Sequence, residues 1–98
     1  MSLPIRFRPE AQDGFDDGAD WYEQRRPGLG VKFVARVRDA LHRISNHPQM
    51  HAKVYGDVRK AVVADFPYVI IYCEEGGELL IISVFHTLSD PAIWQSRI

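Results

Sequence analysis

Tyr68-Val69-Ile70-Ile71-Tyr72-Cys73-Glu74-Glu75-Gly76-Gly77-Glu78-Leu79-Leu80-Ile81-Ile82-Ser83-Val84-Phe85-His86 reads as two strands joined by their own turn. Tyr68 to Cys73 is apolar at every position, so both its faces need cover and it is expected at the centre of a sheet. Glu75-Gly76-Gly77 is the turn, because glycine takes the positive φ that tight hairpins require. Glu78 to His86 is the last strand, antiparallel to the first because a short hairpin allows only that pairing. Just upstream, Val58 to Ala64 is a further strand and Asp65-Phe66-Pro67 its turn, which completes a three-stranded antiparallel sheet. Gln49 to Gly56 reads as a loop leading into it.

The N-terminal half follows a different period. Leu3, Ile5 and Phe7 alternate with Pro4, Arg6 and Arg8, the pattern of a half-buried strand, and the early proline places it at a sheet edge or strand start. Pro9 suits the first position of a helix, with Glu10 and Asp13 near its positive end. Ala11, Phe15, Ala19 and Tyr22 then form one helical stripe running to about Arg25. Gly14 and Gly18 weaken that helix by roughly 1 kcal/mol each relative to alanine. They are either sites of close packing or neutral residues. Trp21 lies off the stripe, so its ring either meets a partner or packs on the chain termini. Pro27-Gly28-Leu29-Gly30 breaks the helix. From Val31 a second stripe runs through Val34, Val37, Leu41 and Ile44, widened by Phe33 and Ala40, until Pro48 ends it. So short a linker makes an antiparallel helix hairpin. The expectation is an α+β fold over residues 1–98 as one domain: N-terminal strand, helix hairpin, three-stranded sheet, with the helices on one sheet face.

With 98 residues, 46% of them apolar, the chain can bury one real core. No apolar run approaches the roughly 20 residues of a membrane span. Met1-Ser2-Leu3-Pro4 lacks a signal-peptide core, and the one cysteine, Cys73, excludes an internal disulfide. A cytoplasmic protein without membrane contact is expected. The net charge of −1 hides a segregation: residues 1–24 carry −4, residues 25–60 carry +7 and residues 61–98 carry −4. Such a basic middle either marks a surface for an acidic partner or reflects two packed helices whose opposite charges pair.

Four sets of residues are candidates for chemistry. His86 ends the last strand in alternation with Leu80, Ile82 and Val84, so it reads as a structural histidine on an apolar face. Its position at a strand end equally suits an acid, a base or a phosphate partner. Arg59 and Lys60 point to opposite faces of their strand; with Lys53 and Arg97 they form an anion site or the solvated end of an edge strand. His42, His47 and His51 are spaced five and four apart with Pro48 between the last two, which does not suit a metal, and no cofactor motif is present. Asp90-Pro91 reads as a helix cap followed by its first residue, with Trp94 packing back on the domain.

The whole chain resembles the RelE/ParE superfamily of bacterial type II toxin–antitoxin toxins. The resemblance rests on Phe7-Arg8-Pro9-Glu10-Ala11, Ala19-Asp20-Trp21-Tyr22-Glu23, Arg26-Pro27-Gly28-Leu29-Gly30, His47-Pro48 and Val58-Arg59-Lys60. It continues through Phe66-Pro67-Tyr68-Val69-Ile70-Ile71-Tyr72 and Val84-Phe85-His86-Thr87 to Asp90-Pro91 and Trp94. No single element is specific; their order along nearly the whole chain is. It implies a small toxin held inactive by an antitoxin with a DNA-binding N-terminus and a partly disordered segment that folds over the toxin.

The superfamily divides by target. RelE-like members cleave messenger RNA on the ribosome with a set of arginines, lysines and sometimes a histidine or tyrosine, whereas ParE-like members lack that set and poison DNA gyrase. In the ribonucleases an arginine commonly opens the strand that here reads Tyr68 to Tyr72, and a tyrosine often follows the histidine; here Val69 and Thr87 stand there. Close relatives often carry an arginine where this chain has Leu88-Ser89. The resemblance therefore favours the ParE-like branch, acting by binding rather than catalysis. In that reading Arg36, Arg38, Arg43, Arg59, Lys60, His86 and Arg97 contact the target, and an apolar groove flanking the sheet takes the antitoxin. The alternatives are a ribosome-dependent endoribonuclease using His86, Arg59 and Lys60, and a non-toxic relative that only binds the antitoxin.

Overall fold

The computed structural model describes residues 2–88 together with Gln95. Asp90, Pro91, Trp94 and Arg97 lie outside the described residues. The elements run β1 (Ile5–Phe7), α1 (Pro9–Arg25), α2 (Leu29–Asn46), β2 (Lys53–Tyr55), β3 (Val58–Val62), β4 (Tyr68–Glu75) and β5 (Glu78–His86). The strands form one sheet in the order β1-β5-β4-β3-β2.

The expected hairpin closes as read. Glu75 pairs with Glu78, and Gly76 and Gly77 between them hold φ of 60° and 77°, the left-handed pair that a two-residue turn needs. Two features correct the three-stranded antiparallel sheet. β1 joins it as a parallel partner of β5, with Ile5 opposite Leu79 and Phe7 opposite Ile81. The stretch read as a loop before β3 contains β2, which pairs antiparallel with β3 and makes a fifth strand of a mixed sheet. All three β2 residues are exposed, so no apolar alternation announces the strand.

A third correction concerns register. Along β4 and β5, Ile71 faces Ser83 while Tyr72 faces Ile81, so Ile82 is an extra residue, a β-bulge. One added residue exchanges the faces of everything beyond it. Leu79 and Ile81 lie on the helix side before the bulge, and Val84 lies there after it, while Leu80 and Ile82 join Val58 and Ile71 on the far face. His86 therefore shares its face with Val84 and the helices, not with Leu80 and Ile82.

Both helices pack on that face. Phe33 is fully buried at the centre, with ring centroids of Tyr22 and Phe66 at 5.2 Å and of Tyr68 at 4.8 Å. Each fully buried side chain of that size contributes about 1.5–3 kcal/mol by leaving water. The two weak helix positions are explained by the same packing. A Cβ on Gly14 would collide with the Val84 carbonyl oxygen, and one on Gly18 would meet the Phe33 ring and the Tyr68 hydroxyl. The glycines let α1 lie directly on the ends of β4 and β5.

The helix hairpin is locked at its turn. The Glu23 carboxylate of α1 accepts the Gly28 and Gly30 backbone N–H groups at 2.9 and 3.0 Å, satisfying donors at the start of α2 that would otherwise lack partners. Gly30 makes the approach possible, since a Cβ there would lie 2.5 Å from the Ala19 carbonyl oxygen. The expected pairing of acidic α1 with basic α2 is absent among the described residues. Arg36 instead binds Asp65, in the β3–β4 turn, at 2.8 Å and Asp39, on its own helix, at 3.6 Å. No described helix is long and apolar enough to cross a membrane.

Candidate functional site

The end of the sheet beside α1 holds the residue that the sequence made most conspicuous. The bulge in β5 turns His86 toward the helices, opposite Tyr68 on β4, and the two rings meet edge to face at 5.5 Å. Nδ1 of His86 accepts the Leu88 backbone N–H at 3.0 Å, which leaves the proton of the neutral ring on Nε2. Around them lies an open hollow of about 300 Å³. Its walls are His86, Tyr68 and Trp21, its α1 side includes Gly14 and Gly18, and Asp17 stands at the rim. Trp21 is 51% exposed and carries the Arg25 guanidinium over its ring at 4.3 Å. Burial, reinforced by Tyr22 and Asp17, pushes the Tyr68 phenol above its ordinary range, so it keeps its proton at neutral pH.

The cations proposed alongside His86 are elsewhere. Arg59 pairs with Tyr72, four rungs along β4 from the Tyr68–His86 pair and on the opposite neighbouring strand. Strand dimensions put the two backbones roughly 16 Å apart. The Arg59 guanidinium donates to the carbonyl oxygens of Gln49 and His51 at 3.3 and 2.5 Å. The Tyr72 hydroxyl donates to the Pro48 carbonyl at 3.0 Å, so the two side chains together pin the loop between α2 and β2. Lys60 is exposed on the far face and Lys53 pairs with Asp57 at 3.3 Å. Arg38 and Arg43 are exposed on α2, while Arg36 is held in its ion pairs. Arg97 lies outside the described residues. The histidines stay apart as well: His42 lies within 3.2 Å of the Asn46 side chain, and His51 packs edge-on against Tyr72 at 6.3 Å. Burial and the positive charges of Arg43 and Arg59 lower the His51 pKa, so its ring is predominantly neutral at pH 7. Among the described residues no three His, Cys, Asp or Glu side chains gather to hold a metal.

An apolar groove lies between the two helices. It measures about 580 Å³ and every lining residue comes from α1 or α2. Ala19 and Glu23 face Val31, Val34, Ala35 and Arg38 across it, and Val31 is 71% exposed. Neither this groove between the helices nor the partners of His86 was legible in the sequence. Gly14 and Gly18, one helical turn apart, were the available signal for the hollow.

A helix hairpin laid on one face of a mixed five-stranded sheet, with small helix residues on the strand ends, is a known class of small protein. A solved structure described as "Chromosomal ParDE TA system from P. aeruginosa" has the same fold. Its TM-score is 0.75 with 16% identity, over 87% of this chain and 96% of that one. The profile of a family described as the ParE toxin of the type II toxin–antitoxin system, parDE, matches residues 5–91. The chain belongs to that ParE toxin family. No curated protein matches its sequence.

Proposed function

We propose that this ParE-family chain is a toxin that acts by binding DNA gyrase, and that a cognate antitoxin silences it by covering the groove between the helices. The observation that carries the binding reading is the company His86 keeps. Cleaving RNA through its 2′-hydroxyl develops negative charge on a phosphorane, which several converging cations must stabilise. The described surroundings of His86 offer aromatic rings and Asp17 instead, and Arg59 is engaged with backbone carbonyls far along the sheet. Support for the antitoxin half comes from the stripe of exposed Val31 and Ala35 with half-buried Val34, which suits an amphipathic helix laid in a groove. Arg38, which lines the groove, and Arg43, both exposed on α2, offer cations for an acidic surface of the target.

The test is a supercoiling assay with purified gyrase and the full chain. Inhibition with trapped cleaved DNA, relieved by an equimolar amount of the antitoxin, is the expected result. Full supercoiling at a large excess of toxin would remove gyrase as the target, and ribosome-dependent messenger-RNA cleavage abolished by His86→Ala would replace this reading with the nuclease one.

A further inference from the structure

The hollow at the sheet end has a size, a wall and a charge, and together they select what it can hold. At about 300 Å³ it takes one large side chain rather than a cofactor. Its walls are π surfaces: Trp21, Tyr68 and His86. Its charge comes from α1, whose exposed surface carries Glu10, Asp13, Asp16, Asp17 and Asp20 against the one cation at the hollow, Arg25 over Trp21. None of those carboxylates is ion-paired among the described residues. Such a rim repels a phosphate backbone, so the aromatic walls are not a platform for nucleic acid. It attracts a cation. Guanidinium is the cation that both stacks flat on aromatic rings and pairs with a carboxylate through a planar fork. The chain itself shows the chemistry, because Arg25 already lays its guanidinium over Trp21.

We propose that this hollow receives an arginine side chain presented by a basic segment of a protein partner, stacked among Trp21, Tyr68 and His86 and paired with Asp17. The acidic surface of α1 draws the rest of the segment along the helix. This site lies at the end of the sheet, apart from the groove between the helices, and the proposal does not depend on gyrase being the target.

The experiment is a two-dimensional NMR titration of the full chain with a blocked pentapeptide holding one arginine among glycines. Its glutamine analogue and a short single-stranded DNA are titrated in parallel. The Trp21 indole N–H and the His86 ring signals are expected to shift saturably with the arginine peptide alone. Asp17→Asn should weaken that binding about fivefold, the scale of one exposed charge pair, while Asp13→Asn, away from the hollow, should leave it within about twofold. Equal shifts with the glutamine peptide, binding of the DNA at the same signals, or an Asp17→Asn variant that binds like the parent would each overturn the proposal.

Discussion

Glu23 does more than its place on an exposed helix surface suggests. Its carboxylate sits on the first N–H groups of α2, and those bonds hold its pKa below the ordinary glutamate range despite an opposing desolvation. Asp65 is lowered too, first by its hydrogen bond from Arg36 and then by the charges of Lys32 and Arg36. A carboxylate whose pKa is depressed on folding stabilises the fold above its unfolded pKa. That contribution disappears as pH falls through the lower, folded value. The contribution of these two carboxylates should therefore be constant near neutrality and decline through the acid range in which they take up protons. Glu23→Gln should lower Tm at pH 7 and flatten the acid decline, with the two proteins converging once Glu23 of the parent is protonated. Thermal melts across pH read this directly, and parallel curves would rule out the helix-capping role. Glu23 was not legible as a cap, since it lies five residues before Gly28 and caps the next helix rather than its own.

At the scale of elements, periodicity recovered what repeats and lost what does not. The two helices and the β4–β5 hairpin each carry a sustained pattern with breakers at the ends, and all three were legible. Strand β2 was not, because Lys53, Val54 and Tyr55 are all exposed and only their pairing with β3 makes them a strand. The bulge at Ile82 was not legible either: one extra apolar residue in an apolar strand leaves no mark, yet it decides which way His86 faces. Arg59 is a related case. Its type suggested an anion site, while its actual partners are carbonyls of a loop eight and ten residues away. Arg59→Ala should therefore loosen the Gln49–Tyr55 segment and leave the helices and β4 intact. Hydrogen exchange in that segment is expected to speed up roughly tenfold, as follows from losing a charge-assisted bond. Unchanged exchange there, or acceleration throughout the sheet, would contradict the pinning role.

Taken whole, the larger of the molecule's two buried clusters lies on the helix side of its sheet. The aromatic rings of Phe15, Tyr22, Phe33, Phe66 and Tyr68 form a connected set, with Phe33 in contact with the other four. Removing that ring should cost about 3–5 kcal/mol, a large share of the roughly 5–15 kcal/mol available to a domain. Phe33→Ala is thus expected to be partly unfolded at 37 °C, and urea denaturation monitored by circular dichroism gives the difference. A loss below 1 kcal/mol would mean that the cluster collapses around the gap. The same set explains why α1 carries glycines: they bring its axis close enough for the rings of both helices and β4 to meet.

The parallel pairing of β1 with β5 also sets an order of events. Ile5 finds its sheet partner in Leu79, so β1 must wait for β5 before it can join the sheet. The helix hairpin and the β4–β5 hairpin are local and close early, whereas β1 closes across nearly the full chain, the kind of contact that slows folding. A nascent chain interrupted anywhere before β5 thus lacks both the β5 side of the sheet-end hollow and the partner of its own first strand. The sheet-end hollow can therefore form only once β5 has been made.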